Sequence, residues 1–141
     1  MEDSIFKEIH IGGLIKKRVE EMKTDVKRIC VFMKLSESQI DEVYNSNSIE
    51  AGSLLRWSKL LEYDFFRVYS QHLILYAPPA ATNVPPAKAA PSLPVFRKNL
   101  YTKEVIDFIT DLIRTNKKSK QDVMKEYNIP KTTLYKWLRK Y

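Results

Sequence analysis

Cysteine, histidine and glycine are scarce in this chain: its 141 residues include one Cys, two His and three Gly. A single cysteine, Cys30, excludes an intramolecular disulfide framework and a cysteine-based zinc module. His10 and His72 stand apart from each other, so neither a metal site nor a nucleophile–His–acid arrangement can be built on them. Gly12-Gly13 leads into Leu14-Ile15 rather than into the Lys-Ser/Thr of a phosphate-binding loop. No run approaches the roughly 18–20 apolar residues of a membrane span. The acidic start, Met1-Glu2-Asp3, is not followed by the apolar core of a signal peptide. Sustained period-2 alternation is missing as well, which removes strands from the expectation. These absences predict a soluble, cytoplasmic, all-α protein that is no enzyme and has no catalytic residues, cofactor, metal or small-molecule substrate.

Basic charge is abundant and unevenly placed. The whole chain is at +7. Residues 1–77 hold 11 Lys+Arg against 12 Asp+Glu, a net of −1, and residues 78–96 add only Lys88. Residues 97–141 hold 12 Lys+Arg against 5 Asp+Glu, a net of +7. A short segment so charged attracts polyanions, because neutralising phosphates releases condensed counterions.

Proline marks the division between these regions. Six of the seven prolines lie in APPAATNVPPAKAAPSLP, from Pro78 to Pro94. Alanine and proline without large apolar side chains cannot form a core, and X-Pro steps favour polyproline II. The expected organisation is a helical domain over 1–77, a Pro/Ala-rich linker over 78–96 and a trihelical domain over 97–141.

In the last domain Thr102 caps a helix bearing Val105, Ile106, Phe108, Ile109, Leu112 and Ile113, which ends in the turn Asn116-Lys117-Lys118. Ser119, three residues before Asp122, opens a second helix with Val123, Met124 and Tyr127. In Asn128-Ile129-Pro130 the Asn tolerates positive φ, and the Pro suits a helix's first turn. A third helix from Lys131 points Leu134, Trp137 and Leu138 inward. Two short helices around such a turn, the second with a polar and basic outer face, are the plan of a helix-turn-helix. Lys131, Thr132, Tyr135 and Lys136 are the candidate base-facing residues. Lys117, Lys118, Lys120, Thr133, Arg139 and Lys140 are the candidate phosphate contacts. The segment SKQDVMKEYNIPKTTLYKWLRKY resembles the helix-turn-helix of transposase-associated and resolvase-like DNA-binding domains. The resemblance implies DNA binding by the helix beginning at Lys131. Asn128 stands where Gly is usual, Pro130 where Ser is usual, and Met124 where a small residue is expected.

The first domain reads as a run of short helices. Ile11, Leu14, Ile15, Val19 and Met22 follow one helical face, and Thr24 caps a second helix with Val26, Ile29, Cys30 and Met33. Ser36 and Gln39 form a capping box for a third helix, with Ile40, Val43 and Tyr44 inward. A fourth carries Leu54, Leu55, Trp57, Ser58 and Leu61. Asp64 caps Phe65–Tyr69, while His72–Tyr76 carries no clear assignment. The stretches IGGLIKKRVEEM, TDVKRICVFMKLSESQIDEVYN and LLRWSKLLEYDFF resemble successive parts of the Cro/repressor-like (XRE) helix-turn-helix domains. Cys30 takes the place of that family's small Ala, a packing use for the thiol. Glu37, Asp41 and Glu42 depart from the family, whose recognition helices usually offer neutral or basic groups. Lys34 stands where Gly is common.

These readings point to a sequence-specific double-stranded DNA binder, a bacterial or mobile-element transcriptional regulator associated with the nucleoid. Its N-terminal domain pairs subunits into a homodimer or makes secondary DNA or partner contacts, through Lys27, Arg28, Ser38, Gln39 and Glu42. Lys16, Lys17 and Arg18 add phosphate-contact candidates. The alternative is a protein-interaction adaptor whose acidic N-terminal module binds a partner and whose basic tail meets polyanions non-specifically.

Overall fold

A computed structural model describes residues 5–76, 92–94 and 100–141. Among them are eight α-helices and no strand, the all-α class expected. Of the linker expected over 78–96, all but residues 92–94 lies outside the described residues. The chain divides into two compact units, Met1–Ser70 and Gln71–Tyr141, and the division falls inside the fifth helix.

The first unit begins with α1 (Ile11–Met22), α2 (Val26–Met33), α3 (Glu37–Tyr44) and α4 (Ala51–Leu60). Local polar chemistry starts most of them. His10 Nδ1 accepts from the Gly13 N–H at 3.0 Å. Ser36 Oγ accepts from the Gln39 N–H at 3.2 Å while Gln39 Oε1 accepts from the Ser36 N–H at 2.9 Å, the expected capping box. The cap of α2 is a correction: Asp25, not Thr24, accepts from the Lys27 N–H at 3.4 Å. Thr24 is already used by the end of α1, where its N–H donates to Val19 O at 3.2 Å beside the left-handed Lys23. Asp64 Oδ1 accepts from the Phe66 N–H at 3.1 Å, and α5 (Phe66–Tyr76) then runs on through the segment His72–Tyr76.

In this unit α1 packs on α3, and α2 packs on α3 and α4. Ile11, Ile15, Ile29, Met33, Ile40, Leu54, Trp57, Leu60, Leu61 and Phe65 form one buried cluster. Met22, Val26 and Leu55 share the apolar pattern but are exposed. Short helices bury one narrow stripe, and these three lie at its ends or beside it. Gly12 makes the closest approach. Its N–H donates to Ser46 O at 3.0 Å, and a Cβ there would fall 2.6 Å from Ser46 O and 2.7 Å from Tyr44 O, and closer still to Val43 O.

The second unit contains α6 (Lys103–Arg114), α7 (Lys120–Glu126) and α8 (Lys131–Lys140), each packed on the other two. Thr102 Oγ1 accepts from the Val105 N–H at 3.3 Å, and Ser119 and Asp122 form a reciprocal capping box. Val105, Ile109, Leu112, Val123, Tyr127, Ile129, Leu134 and Trp137 are buried. The Tyr101 ring meets Trp137 edge-on at 4.8 Å. Gln71 is fully buried: its Nε2 donates to Leu100 O at 2.5 Å and its Oε1 accepts from the Thr102 N–H at 3.0 Å. Gln71 thereby holds the approach to α6 in place.

Each unit contains a helix-turn-helix in the same register. Both turns read left-handed residue, apolar residue, N-cap: Lys34-Leu35-Ser36, with Lys34 at φ 56°, and Asn128-Ile129-Pro130, with Asn128 at φ 53°. Counted from that left-handed residue, Ile29, Met33, Leu35, Ile40 and Val43 align with Val123, Tyr127, Ile129, Leu134 and Trp137. Every one of these ten is buried or half-buried. A three-residue turn of this kind forces the second helix to leave at a steep angle across the first.

Two stability outcomes follow from this backbone. Gly12→Ala should destabilise the first unit by about 1–3 kcal/mol, since rigid carbonyls rather than flexible side chains occupy the space. Lys34→Gly should stabilise it by about 0.5–1 kcal/mol, the left-handed penalty removed less the entropy added to the unfolded chain. Both are read as shifts in the thermal midpoint, about 4–8 °C per kcal/mol for a domain of this size.

Candidate nucleic-acid interface

The outer face of α8 is built by its register. Leu134 and Trp137 anchor the helix inward, which leaves Lys131, Thr132, Tyr135, Lys136 and Arg139 exposed. No acidic residue lies in its first turn, and no side chain caps its N-terminal amides. The positive end of the helix dipole therefore coincides with the Lys131 ammonium.

Tyr135 organises the N-terminal end of this face. Lys131 Nζ lies 5.5 Å from the ring centroid, and Lys120 Nζ, from the start of α7, lies 5.2 Å from it. A candidate phosphate contact is thus brought beside two candidate base-facing residues. Two ammonium groups share one aromatic ring, whose π-electrons attract each of them. Lys136 is exposed one residue further along, and Thr133 is half-buried. Arg139 and Lys140 lie at the far end of α8, about 12–14 Å along the helix axis from Lys131.

Lys117 and Lys118 are adjacent in sequence but differ in role. Lys117 is exposed in the turn after α6. Lys118 pairs with the Glu126 carboxylate and donates to the Tyr127 hydroxyl at 3.4 Å, with its ammonium 5.1 Å from that ring's centroid. Burial alone would lower the Lys118 pKa, but its bonds to Glu126 and Tyr127 outweigh that and raise it. The raised lysine value contributes stability at neutral pH that is lost as pH climbs through it. The same bond neutralises Glu126, and the Ser119 cap engages Asp122, so both α7 carboxylates are occupied beside the basic face. The Lys118–Glu126–Tyr127 arrangement left no sequence signal, since Lys118 precedes α7 and helical spacing does not relate it to residues at that helix's far end.

The first unit presents different chemistry on the corresponding helix. In the shared register Glu37, Ser38, Asp41 and Glu42 occupy the places of Lys131, Thr132, Tyr135 and Lys136, and all four are exposed. Gln39 is engaged in its capping box, and Ser38 Oγ lies 3.0 Å from Ser36 Oγ. Lys27 and Arg28 are exposed on α2. Arg18 is half-buried, its Nε donating to Leu61 O at 3.2 Å and its guanidinium stacked over Tyr63. Cys30 is half-buried against the core of this unit.

Among the described residues no group of His, Cys, Asp and Glu is arranged to hold a metal ion. No helix of the described residues is long and apolar enough to cross a membrane.

Residues 97–140 match the model of the CENP-B N-terminal DNA-binding domain family. The match covers the three-helix segment that contains α6, α7 and α8 and gives this part of the chain a helix-turn-helix DNA-binding domain. The matched residues lie outside the first unit, and the Cro/repressor-like resemblance there rests on its residues alone. Comparison with curated proteins and with solved structures found no match.

The unequal roles of the two lysines can be measured on the full chain. Lys117→Ala should leave the thermal midpoint unchanged and reduce the salt slope of DNA binding by about one unit. Lys118→Ala should lower stability by about 0.2–1 kcal/mol and leave the salt slope alone.

Proposed function

We propose that this protein is a non-catalytic, sequence-specific DNA-binding regulator of the mobile-element or transcriptional kind, with α8 as its reading helix. The observation that carries this reading is the exposed Lys131–Thr132–Tyr135–Lys136 face at the uncapped, positive end of α8, within a segment that matches a DNA-binding family. Inserted N-terminus first into a major groove, Lys131 and Lys136 donate to guanine O6 and N7, and Thr132 meets a thymine methyl. Lys117, Lys120, Arg139 and Lys140 lie on the flanking phosphates and fix the register. Tyr135 orients the Lys131 and Lys120 ammonium groups, so that reader and clamp meet on one ring.

The first unit has a separate task on this reading. Its α3 places carboxylates where α8 places cations, and a phosphate wall repels them. It pairs chains instead, so that two reading helices act on one DNA. Each such helix binds weakly by itself, and tethering raises the effective concentration of the second.

Selection of bound sequences from a random duplex pool, followed by anisotropy on the enriched site, tests the reading helix. Lys131→Ala and Thr132→Ala should each relax preference at particular base pairs, by about 1–3 kcal/mol for a bidentate contact. An unenriched pool, with a steep salt slope, would reduce the C-terminal face to a non-specific basic surface.

A further inference from the structure

The outer faces of α2 and α3 in the first unit carry opposite charge. On α2, Lys27, Arg28 and Val31 are exposed, with Lys34 exposed at its end, and the helix itself contains no acidic residue. On α3, Glu37, Asp41 and Glu42 are exposed, and the helix contains no basic residue. None of these six charged side chains takes part in an ion pair within the described residues. Between the lysines sits Val31, 80% exposed, the most exposed large hydrophobic residue among the described residues of the first unit. Lys27 and Val31 are four residues apart and share one side of α2. Phe32 is also partly open, and Arg56 covers part of its ring.

We infer that this face is a self-complementary docking surface whose occupant is a second copy of the chain. The inference rests on the reading of the first unit as a pairing element and names the surface that does it. A two-fold axis sets α2 of one copy against α3 of the other, and by symmetry α3 of the first against α2 of the second. Each pairing then joins Lys27 and Arg28 to Asp41 and Glu42, and each Val31 side chain leaves water against α3 of the other copy. One chain cannot satisfy these charges by itself, because the two faces point outward from neighbouring helices. DNA is a poor occupant, since the α3 carboxylates would meet phosphates of like charge. A second copy supplies both signs at once. Faces from two short helices form a small interface, so the pairing depends on concentration and salt.

Sedimentation of the full chain over a wide range of concentration and salt, without DNA, tests the surface separately from the reading helix. The wild-type chain should form a dimer that weakens as salt rises. The doubly reversed variants Lys27→Glu/Arg28→Glu and Asp41→Lys/Glu42→Lys should each lose about tenfold or more in self-association, because like charges then face each other. Mixing the two variants in equal amounts should restore a dimer containing one of each. All four positions are exposed, and circular dichroism with thermal melting checks that each variant keeps its fold. Val31→Asp, also at an exposed site, should weaken the dimer as well. A wild-type chain that stays monomeric at every concentration would overturn the assignment. Reversals that leave self-association unchanged, or a mixture that fails to restore it, would do the same. None of these outcomes bears on base reading by α8, which is measured on DNA with single-helix variants.

Discussion

Both helix-turn-helix elements depend on one backbone constraint: a single non-glycine residue held in the left-handed region between two short helices. Asn128 at φ 53° and Lys34 at φ 56° each end one helix and aim the chain, through one apolar residue, at the N-cap of the next. In such a three-residue turn the apolar residue must fall into the interface between the helices. Ile129 and Leu35 do so. The apolar positions of the second helix are then fixed by helical period alone, and so is its outward face. Asn takes this conformation at little cost because its side chain can bond locally, whereas Lys has no such compensation. The first unit therefore stores strain at its turn that the second does not.

Shared geometry with opposed chemistry follows from that constraint. The register decides which positions of α3 and α8 face outward but says nothing about their charge. On α8 the outward positions hold Lys131, Tyr135 and Lys136, and on α3 they hold Glu37, Asp41 and Glu42. The two units thus separate scaffold from surface chemistry. One fold can present a cationic face suited to phosphate and base edges, and the same fold can present a face suited to cations on another protein surface.

Local features were legible in the sequence, and features that depend on distant residues were not. The capping boxes at Ser36/Gln39 and Ser119/Asp122, the Thr102 cap and the left-handed Asn128 each depend on residues within four of one another. The cap of α2 was misread as Thr24 because two neighbouring residues could both serve, and the end of α1 decided between them. The exposure of Met22 could not be read, since the periodicity that marks a face does not say where its tertiary partner stops. Lys118 looked like Lys117 in sequence, yet a carboxylate and a phenol from the far end of α7 engage it. Gln71 carried no signal, because its partners at Leu100 and Thr102 lie about thirty residues on. On the candidate site, composition and helical period identified the α8 face, while the association of Lys120 with Tyr135 needed the fold.

On the proposed function, the size of α8 explains why a second unit is useful. A ten-residue α8 spans about 15 Å, enough for its N-terminal turns to meet three or four base pairs. Single DNA-binding modules of this kind bury about 600–1,000 Å² of protein surface, and their discrimination is correspondingly limited. Adding cations to α8 would raise affinity for every sequence alike, because phosphate contacts carry no base information. Doubling the number of base contacts raises affinity and discrimination together, provided that two reading helices are held on the same DNA. A unit that pairs chains accomplishes this only if it does not itself compete for phosphate. On the proposed function, the α3 carboxylates would keep the first unit off the phosphates, while the basic excess lies in the segment that matches the DNA-binding family.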